Sequence, residues 1–275
     1  MSLPPSPPPE PLVDVELLGR GILDRILCGV DSRPEGVEAL RQADRLREPG
    51  GSVDVVTALE LVVAAEAAWG ASVAADQLEL EAQAAVDAAR AAVPEACCRV
   101  VRGRADQVLL AEADSISATL LAVGTHEISR PVGIVIGSVA TAVLHSAPCS
   151  VLIARRRPGG EPLPRRIVVG VDGSDESALA AAVAFGLGER FGVEARPIAA
   201  RGGKSFDLAR VDAIARGVWV EEGSPVDALV AGSEAEDLLV VGSRGLHGAR
   251  ALGSVSERVA HKAPCSVLVV RRRPS

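Results

Sequence analysis

The chain alternates short runs of β-branched and other aliphatic residues with longer, alanine-rich stretches that carry apolar residues at helical spacing. Such alternation predicts a parallel sheet covered by helices. The run Leu238–Val241 is apolar throughout, as expected of a central strand buried on both faces. The pattern predicts strands at 25–30, 53–58, 98–101, 118–123, 150–155, 166–171, 193–199, 218–221, 237–242 and 266–271.

Helices are predicted between these strands, at 34–47, 62–92, 105–114, 138–146, 175–190, 205–216, 225–235 and 254–262. In the long segment 62–92, apolar residues such as Leu78, Ala82 and Ala85 mark one helical face. Its counterpart in the second half of the chain is far shorter, because only about 18 residues separate the second and third predicted strands there.

The chain is an internal duplication. The segment Ala147–Pro158 returns as Ala263–Pro274 with ten of twelve positions identical, and Ile26–Asp31 resembles Ile167–Asp172. A unit this long is a domain rather than a solenoid repeat. The sequence predicts an N-terminal repeat over 21–157, a linker over 158–165 and a C-terminal repeat over 166–275.

The composition of the chain limits the kind of core that it can build and the classes of partner that it can bind. Of 275 residues, 48% are hydrophobic but only 2% are aromatic, so each core must be aliphatic. The formal charge of −7 argues against general binding to nucleic acid or to anionic membranes. Two arginine clusters, Arg155–Arg157 and Arg271–Arg273, run against this charge. Because each follows a strand, solvated strand ends or linker are expected in preference to a binding patch.

The first 20 residues are expected to be disordered. Six of the first eleven are prolines, and no apolar run follows a basic segment, so neither a secretory signal nor a membrane span is indicated. We therefore expect deletion of Met1–Leu17 to leave folding intact. The five cysteines fit no zinc-ligand spacing, and Cys149 and Cys265 open apolar strands, so reduced, buried cysteines in a cytoplasmic protein are predicted.

The stretch from Gly242 to Ser256 is the strongest candidate for a ligand-binding site. Gly242, Gly245 and Gly253 punctuate the stretch between a strand and a helix, and Ser254 and Ser256 follow. Glycines allow backbone N–H groups to approach an anion, and a helix N-terminus supplies unpaired donors. The same residues also suit a plain turn in which Ser254 caps the helix. No Walker or dinucleotide fingerprint is present.

Asp172 ends the first strand of the C-terminal repeat, at the same edge of the predicted sheet. A carboxylate there can accept hydrogen bonds from ribose hydroxyls, and it can equally support the start of the next helix. No catalytic set accompanies it. His145 and His261 are equivalent in the two repeats and fall near the end of a predicted helix, where a structural role is expected.

Taken together, the strand-end aspartate, the glycine loop, the Gly-Ser helix start and the closing run Gly253–Arg271 resemble the universal stress protein family, and the duplication resembles its tandem members. The resemblance implies two Rossmann-like, adenine-nucleotide α-hydrolase-like domains, each a five-stranded parallel sheet with helices on both faces, paired through their last strands. It also implies ATP binding in some members. The nucleotide-contacting positions that it implies here are Asp172 at the ribose, Ala200 beside the adenine, Val241 and Gly242 along the pocket, and Arg244, Gly245, Gly253, Ser254, Val255 and Ser256 around the phosphates.

Both repeats depart from the family's nucleotide pattern of Gly, two residues, Gly, nine residues, then Gly with Ser or Thr. The N-terminal repeat keeps Gly124 and Gly137 but has Glu127 at the second glycine. The C-terminal repeat keeps all three glycines, yet only seven residues separate Gly245 from Gly253. That shortened loop either still closes over phosphate or leaves the cradle malformed, and the first interpretation is preferred.

The sequence therefore predicts a cytoplasmic stress-response protein that binds ATP, with Mg²⁺, chiefly in its C-terminal repeat and signals by conformation rather than turnover. The two repeats are expected to form an intramolecular pseudo-dimer through strands 150–155 and 266–271, whose apolar edges need cover; homo-oligomers are a further expectation. The alternatives are a nucleotide-free scaffold for dimerisation or partner binding and, at most, a slow ATPase. No metal-ligand set is predicted.

Overall fold

The computed structural model of the chain describes residues 10–60, 70–125, 136–157, 164–202, 207–235, 237–243 and 252–272. Before and within the N-terminal repeat, the elements are β1 Glu10–Pro11, α1 Val15–Gly19, β2 Arg25–Gly29, α2 Pro34–Leu46, β3 Ser52–Leu59, α3 Gly70–Ala92, β4 Cys97–Arg102, α4 Ala105–Ser115, β5 Leu120–Gly124, α5 Ser138–Ser146 and β6 Ser150–Ala154. Those of the C-terminal repeat are β7 Ile167–Gly170, α6 Asp175–Phe191, β8 Ala195–Ala200, α7 Leu208–Asp212, β9 Ala215–Arg216, β10 Trp219–Glu221, α8 Pro225–Ala231, β11 Leu238–Gly242, α9 Ser254–Lys262 and β12 Ser266–Val270.

Ten of these strands form one sheet, in the order β10-β8-β7-β11-β12-β6-β5-β2-β3-β4. Within each repeat, the neighbouring strands run parallel, so each repeat contributes a five-stranded parallel sheet, as predicted. Between the repeats, β6 and β12 pair antiparallel, with Leu152 opposite Leu268. The last strands of the two repeats thus cover each other's apolar edges.

The core has two layers, one on each face of the sheet. Successive strand residues point to opposite faces, so Ile26 and Cys28 pack with the helices of one face and Leu27 with those of the other. The first face carries α2, α3 and α6, and the second carries α4, α5, α8 and α9. None of the described helices is both long enough and apolar enough to cross a membrane.

The predicted helix over 205–216 is confirmed only over Leu208–Asp212, which form α7, and residues 205 and 206 lie outside the described residues. Its end is wrong, because Ala215–Arg216 instead form the strand β9. That strand pairs antiparallel with β1, more than 200 positions earlier in the chain. A tertiary hydrogen-bond partner therefore overrides the local helical pattern. The helix predicted over 225–235 also ends early, at Ala231, and residues 62–69 of the long predicted helix lie outside the described residues.

Disorder of residues 1–20 is wrong for residues 10–20. Glu10–Pro11 form β1, and the short helix α1 begins after Asp14, whose carboxylate accepts a hydrogen bond from the backbone N–H of Leu17 at 2.8 Å. Val13, Val15 and Leu18 pack against the buried apolar cluster. The prolines exclude a long helix but leave this compact segment possible. Residues 1–9 lie outside the described residues.

The arginine clusters also differ from the prediction of solvated strand ends. Arg155, Arg157 and Arg271 are buried, whereas Arg156 and Arg272 are exposed, as the two-residue period of extended backbone requires. The cysteines are all free; Cys149 and Cys265 are buried as predicted, but Cys97 on the edge strand β4 is exposed.

Candidate functional site

The strands of the C-terminal repeat bring most predicted site residues to one edge of the sheet. Asp172 follows β7, Ala200 ends β8 and Gly242 ends β11, and β7 is hydrogen-bonded to both β8 and β11. Because these strands are parallel, their carboxyl ends lie side by side. The hydroxyl of Ser256 donates a hydrogen bond to the carbonyl oxygen of Gly242 at 2.7 Å, which brings the start of α9 to the same edge.

Asp172 has a structural role in this arrangement. Its carboxylate Oδ1 accepts hydrogen bonds from the backbone N–H of Ser174 at 3.0 Å and from the Ser174 hydroxyl at 2.6 Å. Ser174 is in turn the N-cap of α6 and accepts from the N–H of Ser177 at 3.2 Å. The sequence left two interpretations of Asp172 open, a ribose contact and support of the helix start. The hydrogen bonds to Ser174 show the second role directly.

Gly242 is required by packing. A Cβ at this position would lie 2.5 Å from the carbonyl oxygen of Glu176 in the first turn of α6, too close for any side chain. The N-terminal repeat has the same contact, because a Cβ on Gly124 would lie 2.5 Å from the carbonyl oxygen of Glu35. Strand and helix backbones approach this closely in both repeats, and the two glycines are explained without any ligand.

The N-terminus of α9 begins at a residue that has no side chain. Gly253 is the N-cap, so Ser254 is the first helical residue rather than the cap that the turn interpretation assumed. The N-cap itself therefore makes no side-chain hydrogen bond to the first-turn N–H groups. Val255 follows as the second helical residue, while the buried Ser256 hydroxyl already donates to Gly242. First-turn N–H groups and the positive end of the helix dipole are the chemistry that binds phosphate.

The middle of the glycine loop lies outside the described residues. Arg244 and Gly245 lie outside the described residues, as do His247 and Arg250. In the N-terminal repeat, Glu127 is likewise outside them. Closure of the shortened loop over phosphate therefore stays a prediction.

The N-terminal repeat carries a feature that sequence reasoning missed. A cavity of about 100 Å³ lies at the carboxyl edge of its sheet, beside Asp31, Gly36 and Gly137. The cavity thus lies in the repeat for which the sequence predicted no nucleotide.

The two repeats also differ at the residue five positions after the strand-end aspartate. Gly36 lies five positions after Asp31, just as Ser177 lies five positions after Asp172. A Cβ on Gly36 would come 3.0 Å from the backbone nitrogen of Asp31, whereas the Ser177 hydroxyl occupies the corresponding turn and accepts a hydrogen bond from the Asp172 N–H at 3.3 Å. Comparing the two repeats at this spacing would have been the signal for the cavity.

The two helical histidines lie on the last helices of the two repeats, α5 and α9. His145 Nε2 in α5 lies 3.1 Å from the carboxylate of Glu257 in α9. Burial lowers the pKa of His261, an effect that Glu257 opposes and that the positive charges of Arg155 and His145 reinforce. No nucleophile accompanies this group among the contacts of the described residues, so it is a structural contact between the last helices of the two repeats.

Comparison with known proteins bears on this site. The sequence profile of the universal stress protein family matches residues 23–155 and 203–271. A universal stress protein of Mycobacterium tuberculosis is 30% identical, covering 90% of this chain and 96% of its own length. A universal stress protein of Mycolicibacterium smegmatis is 28% identical, covering 90% and 97%.

A crystal structure of a universal stress protein from Archaeoglobus fulgidus has the same fold, with a TM-score of 0.66, 21% identity, and coverage of 91% of this chain and 97% of that one. The tandem extent of these matches agrees with the duplication in the sequence and the paired five-stranded sheets. The chain therefore belongs to the universal stress protein family.

Proposed function

We propose that this universal stress protein binds an adenine nucleotide, ATP with Mg²⁺, mainly in its C-terminal repeat, and acts in the cytoplasm as a sensor or regulator. The observation that carries the proposal is the N-terminus of α9. It begins at a glycine N-cap, which has no side chain to cap the first turn, and is joined by the Ser256 hydroxyl to the strand end at Gly242, one strand away from Asp172.

Each residue has a role that its chemistry permits. The first-turn N–H groups at Ser254, Val255 and Ser256, with Gly253, would face the phosphates, because helix N-termini attract negative charge. The loop residues Arg244 and Gly245 would complete this cradle, with the guanidinium supplying positive charge.

The sugar and base would occupy the strand ends. Asp172 would accept hydrogen bonds from ribose hydroxyls, Ala200 would lie beside the adenine, and Val241 and Gly242 would line the pocket between them. A carboxylate has about four acceptor positions, so the capping role of Asp172 and a ribose contact are compatible.

Isothermal titration of the full chain with ATP and Mg²⁺ tests this function. The expected result is one site per chain, because Glu127 adds a like charge to the phosphate position of the N-terminal repeat. Absence of any binding, or two equivalent sites, contradicts the proposal.

A nucleotide-free scaffold is the second candidate, and specific observations favour it. Asp172, Gly242 and Ser256 all have structural roles that need no ligand. The nucleotide content of freshly purified protein separates the two functions. A scaffold is isolated without nucleotide and does not bind it, whereas a nucleotide sensor retains or takes up ATP. Slow ATP hydrolysis is a third, lesser candidate, tested by turnover of ATP with Mg²⁺.

The two repeats are proposed to act as an intramolecular pseudo-dimer of domains over 21–157 and 166–275, joined by a linker over 158–165. The antiparallel pairing of β6 with β12 supports this arrangement. Assembly into homo-oligomers is a further proposal, which sedimentation of the purified chain tests.

A further inference from the structure

Residues 10–19, here called the N-terminal strap, run from the N-terminal repeat onto the C-terminal repeat. The strap begins in β1, where Glu10 lies opposite Arg216 and Pro11 opposite Ala215 in β9. The backbone N–H of Leu12 extends this pairing by donating to the carbonyl of Ile214 at 2.8 Å. The strap therefore pairs as a strand with a segment of the other repeat, which lies more than 200 positions later in the chain.

The helix of the strap packs closely on α6. A Cβ on Gly186 would lie 3.1 Å from the Cγ1 atom of Val15, and a Cβ on Gly19 would lie 3.7 Å from the backbone of Ala182. Small residues on both sides thus bring the two backbones together. Leu17 lies on the outer side of the strap and is 74% exposed, so only part of the strap faces the protein.

The strap covers a region where the C-terminal repeat is thin. In the N-terminal repeat, the connection from β3 to β4 contains the 23-residue helix α3. In the C-terminal repeat, the described residues of the corresponding connection from β8 to β10 form the five-residue α7 and the two-residue β9. The beginning of the chain supplies cover that this shorter connection lacks.

The base of the strap is held firmly at the N-terminal repeat. The carboxylate of Glu48 accepts hydrogen bonds from the backbone N–H groups of Gly21 and Leu23, each at 3.0 Å. Nearby, the guanidinium of Arg190 at the end of α6 donates to the carbonyls of Arg47 and Arg45, at 2.9 and 2.7 Å. The strap can consequently leave α6 while its base stays in place.

The contacts of the strap lead to the candidate site. β9 follows α7 directly, and Arg210 of α7 lies over the turn that follows Asp172. A Cβ on Gly173, which has a φ of 83°, would lie 2.7 Å from the Cβ of Arg210. Three contacts therefore connect the strap to Asp172. β1 pairs with β9, β9 follows α7 in the chain, and α7 packs on the turn at Gly173.

We propose that the N-terminal strap is a latch whose docking on α6 and β9 holds α7 against the Asp172–Ser174 turn. Undocking of the strap loosens α7 and this turn while the ten-stranded sheet stays intact, because the strap makes no pairing with that sheet among the described residues. Segments with few buried contacts open locally before the fold as a whole does. The strap thus regulates the ribose end of the candidate site.

Hydrogen exchange of the full chain, read by mass spectrometry well below the melting temperature, tests the latch. Val15→Asp buries a charge against Gly186, and Gly186→Ala crowds Val15 from the other side. Leu17→Asp is the matched control, since it places the same charge on the outer side of the same helix. In both disruptive variants we expect exchange in 10–19, 207–217 and the Asp172–Ser174 turn to rise by about tenfold or more, while β5, β6, β11 and β12 stay more strongly protected than these segments and the control remains unchanged.

Three outcomes would overturn the latch. Faster exchange in 10–19 with 207–217 unchanged would remove the coupling. Equal protection of these segments and of β5, β6, β11 and β12 would make the strap part of the global fold, and no change at 10–19 in either variant would contradict its docking on Gly186. Only the regulation of the candidate site rests on the proposed function. If the wild-type chain binds no ATP in the titration, that function fails while the exchange result still decides the latch.

Discussion

Arg155 and Arg271 occupy equivalent positions in the two repeats, and each caps a helix of the other repeat. The guanidinium of Arg155 donates to the carbonyl of Ala260 in the last turn of α9 and to that of Cys265 just before β12, and the guanidinium of Arg271 donates to the carbonyls of Leu144 and Ala147 at the end of α5. A cation at the carbonyl end of a helix satisfies orphan acceptors and complements the helix dipole. These reciprocal hydrogen bonds join the two repeats on either side of the β6–β12 pairing, here called the seam.

Replacing Arg271 with Met should weaken the seam. The change keeps much of the side-chain volume but leaves the carbonyls of Leu144 and Ala147 without their donor, and a lost charge-assisted hydrogen bond to a buried group costs about 1.5–3 kcal/mol. Urea unfolding should show a decrease of roughly 3 kcal/mol in the free energy of unfolding. The neighbouring Arg272→Met is the control, because Arg272 is exposed. Equal free energies of unfolding in the two variants would show that the hydrogen bonds of Arg271 contribute nothing to stability.

Acid should weaken the fold partly through His261. Burial lowers the pKa of His261 from its ordinary value of 6.5, so protonation is less favourable in the folded chain than in the unfolded chain. The stability that this group contributes is therefore full above its unfolded pKa and is lost as the pH falls through that value towards the folded one. His261→Gln should flatten the fall in unfolding free energy between pH 7.5 and about 5. An unchanged pH profile in this variant would remove His261 as a cause.

Nucleotide binding should depend on the absence of charge at residue 245. A carboxylate about 5 Å from a phosphate charge, at an effective dielectric near 20, costs roughly 3 kcal/mol. Gly245→Glu should therefore weaken ATP binding by about a hundredfold or more in a calorimetric titration. Gly245→Gln is nearly the same size without the charge, so the difference between the two variants isolates electrostatics. Glu127→Gly should restore at most weak binding to the N-terminal repeat, and undiminished affinity in Gly245→Glu would exclude the assigned site.

Deletion of Met1–Leu17 should lower the melting temperature, contrary to the expectation from proline content. The deletion removes β1 and the apolar contacts of Val13 and Val15 with the core. Loss of about 2 kcal/mol from a chain of this size lowers the melting temperature by roughly 4–8 °C. Differential scanning calorimetry of the truncated and full-length chains measures this shift. An unchanged melting temperature would mean that the strap contributes no stability.

The sheet was predictable because its signal is local and repeated. Apolar runs such as Leu238–Val241 and Ser266–Val270 specify buried strands by themselves, and the duplication predicted the same architecture twice. The equivalent apolar runs of β6 and β12 also indicated which edges would meet, because a soluble chain must cover such edges.

The candidate site was predictable only in outline. The strand-end position of Asp172 and the helix start at Gly253 follow from sequence, and both lie at the expected edge of the sheet. The carbonyl that makes Gly242 obligatory belongs to Glu176, so its packing role depends on another element. The cavity beside Gly36 depends likewise on how α2 approaches Asp31.

The sequence by itself determined the duplicated unit, the aliphatic core and the order of strands and helices, because each depends on residue pattern within one element. Only the tertiary structure decided that Arg155 is buried while Arg156 is exposed, since the carbonyl that Arg155 caps lies 105 positions later in the chain. The same holds for residues 215–216, whose partner is the start of the chain. Helical periodicity and turn chemistry act over a few residues, whereas the burial of a charge and the pairing of a short strand depend on which distant groups the fold brings within hydrogen-bonding distance.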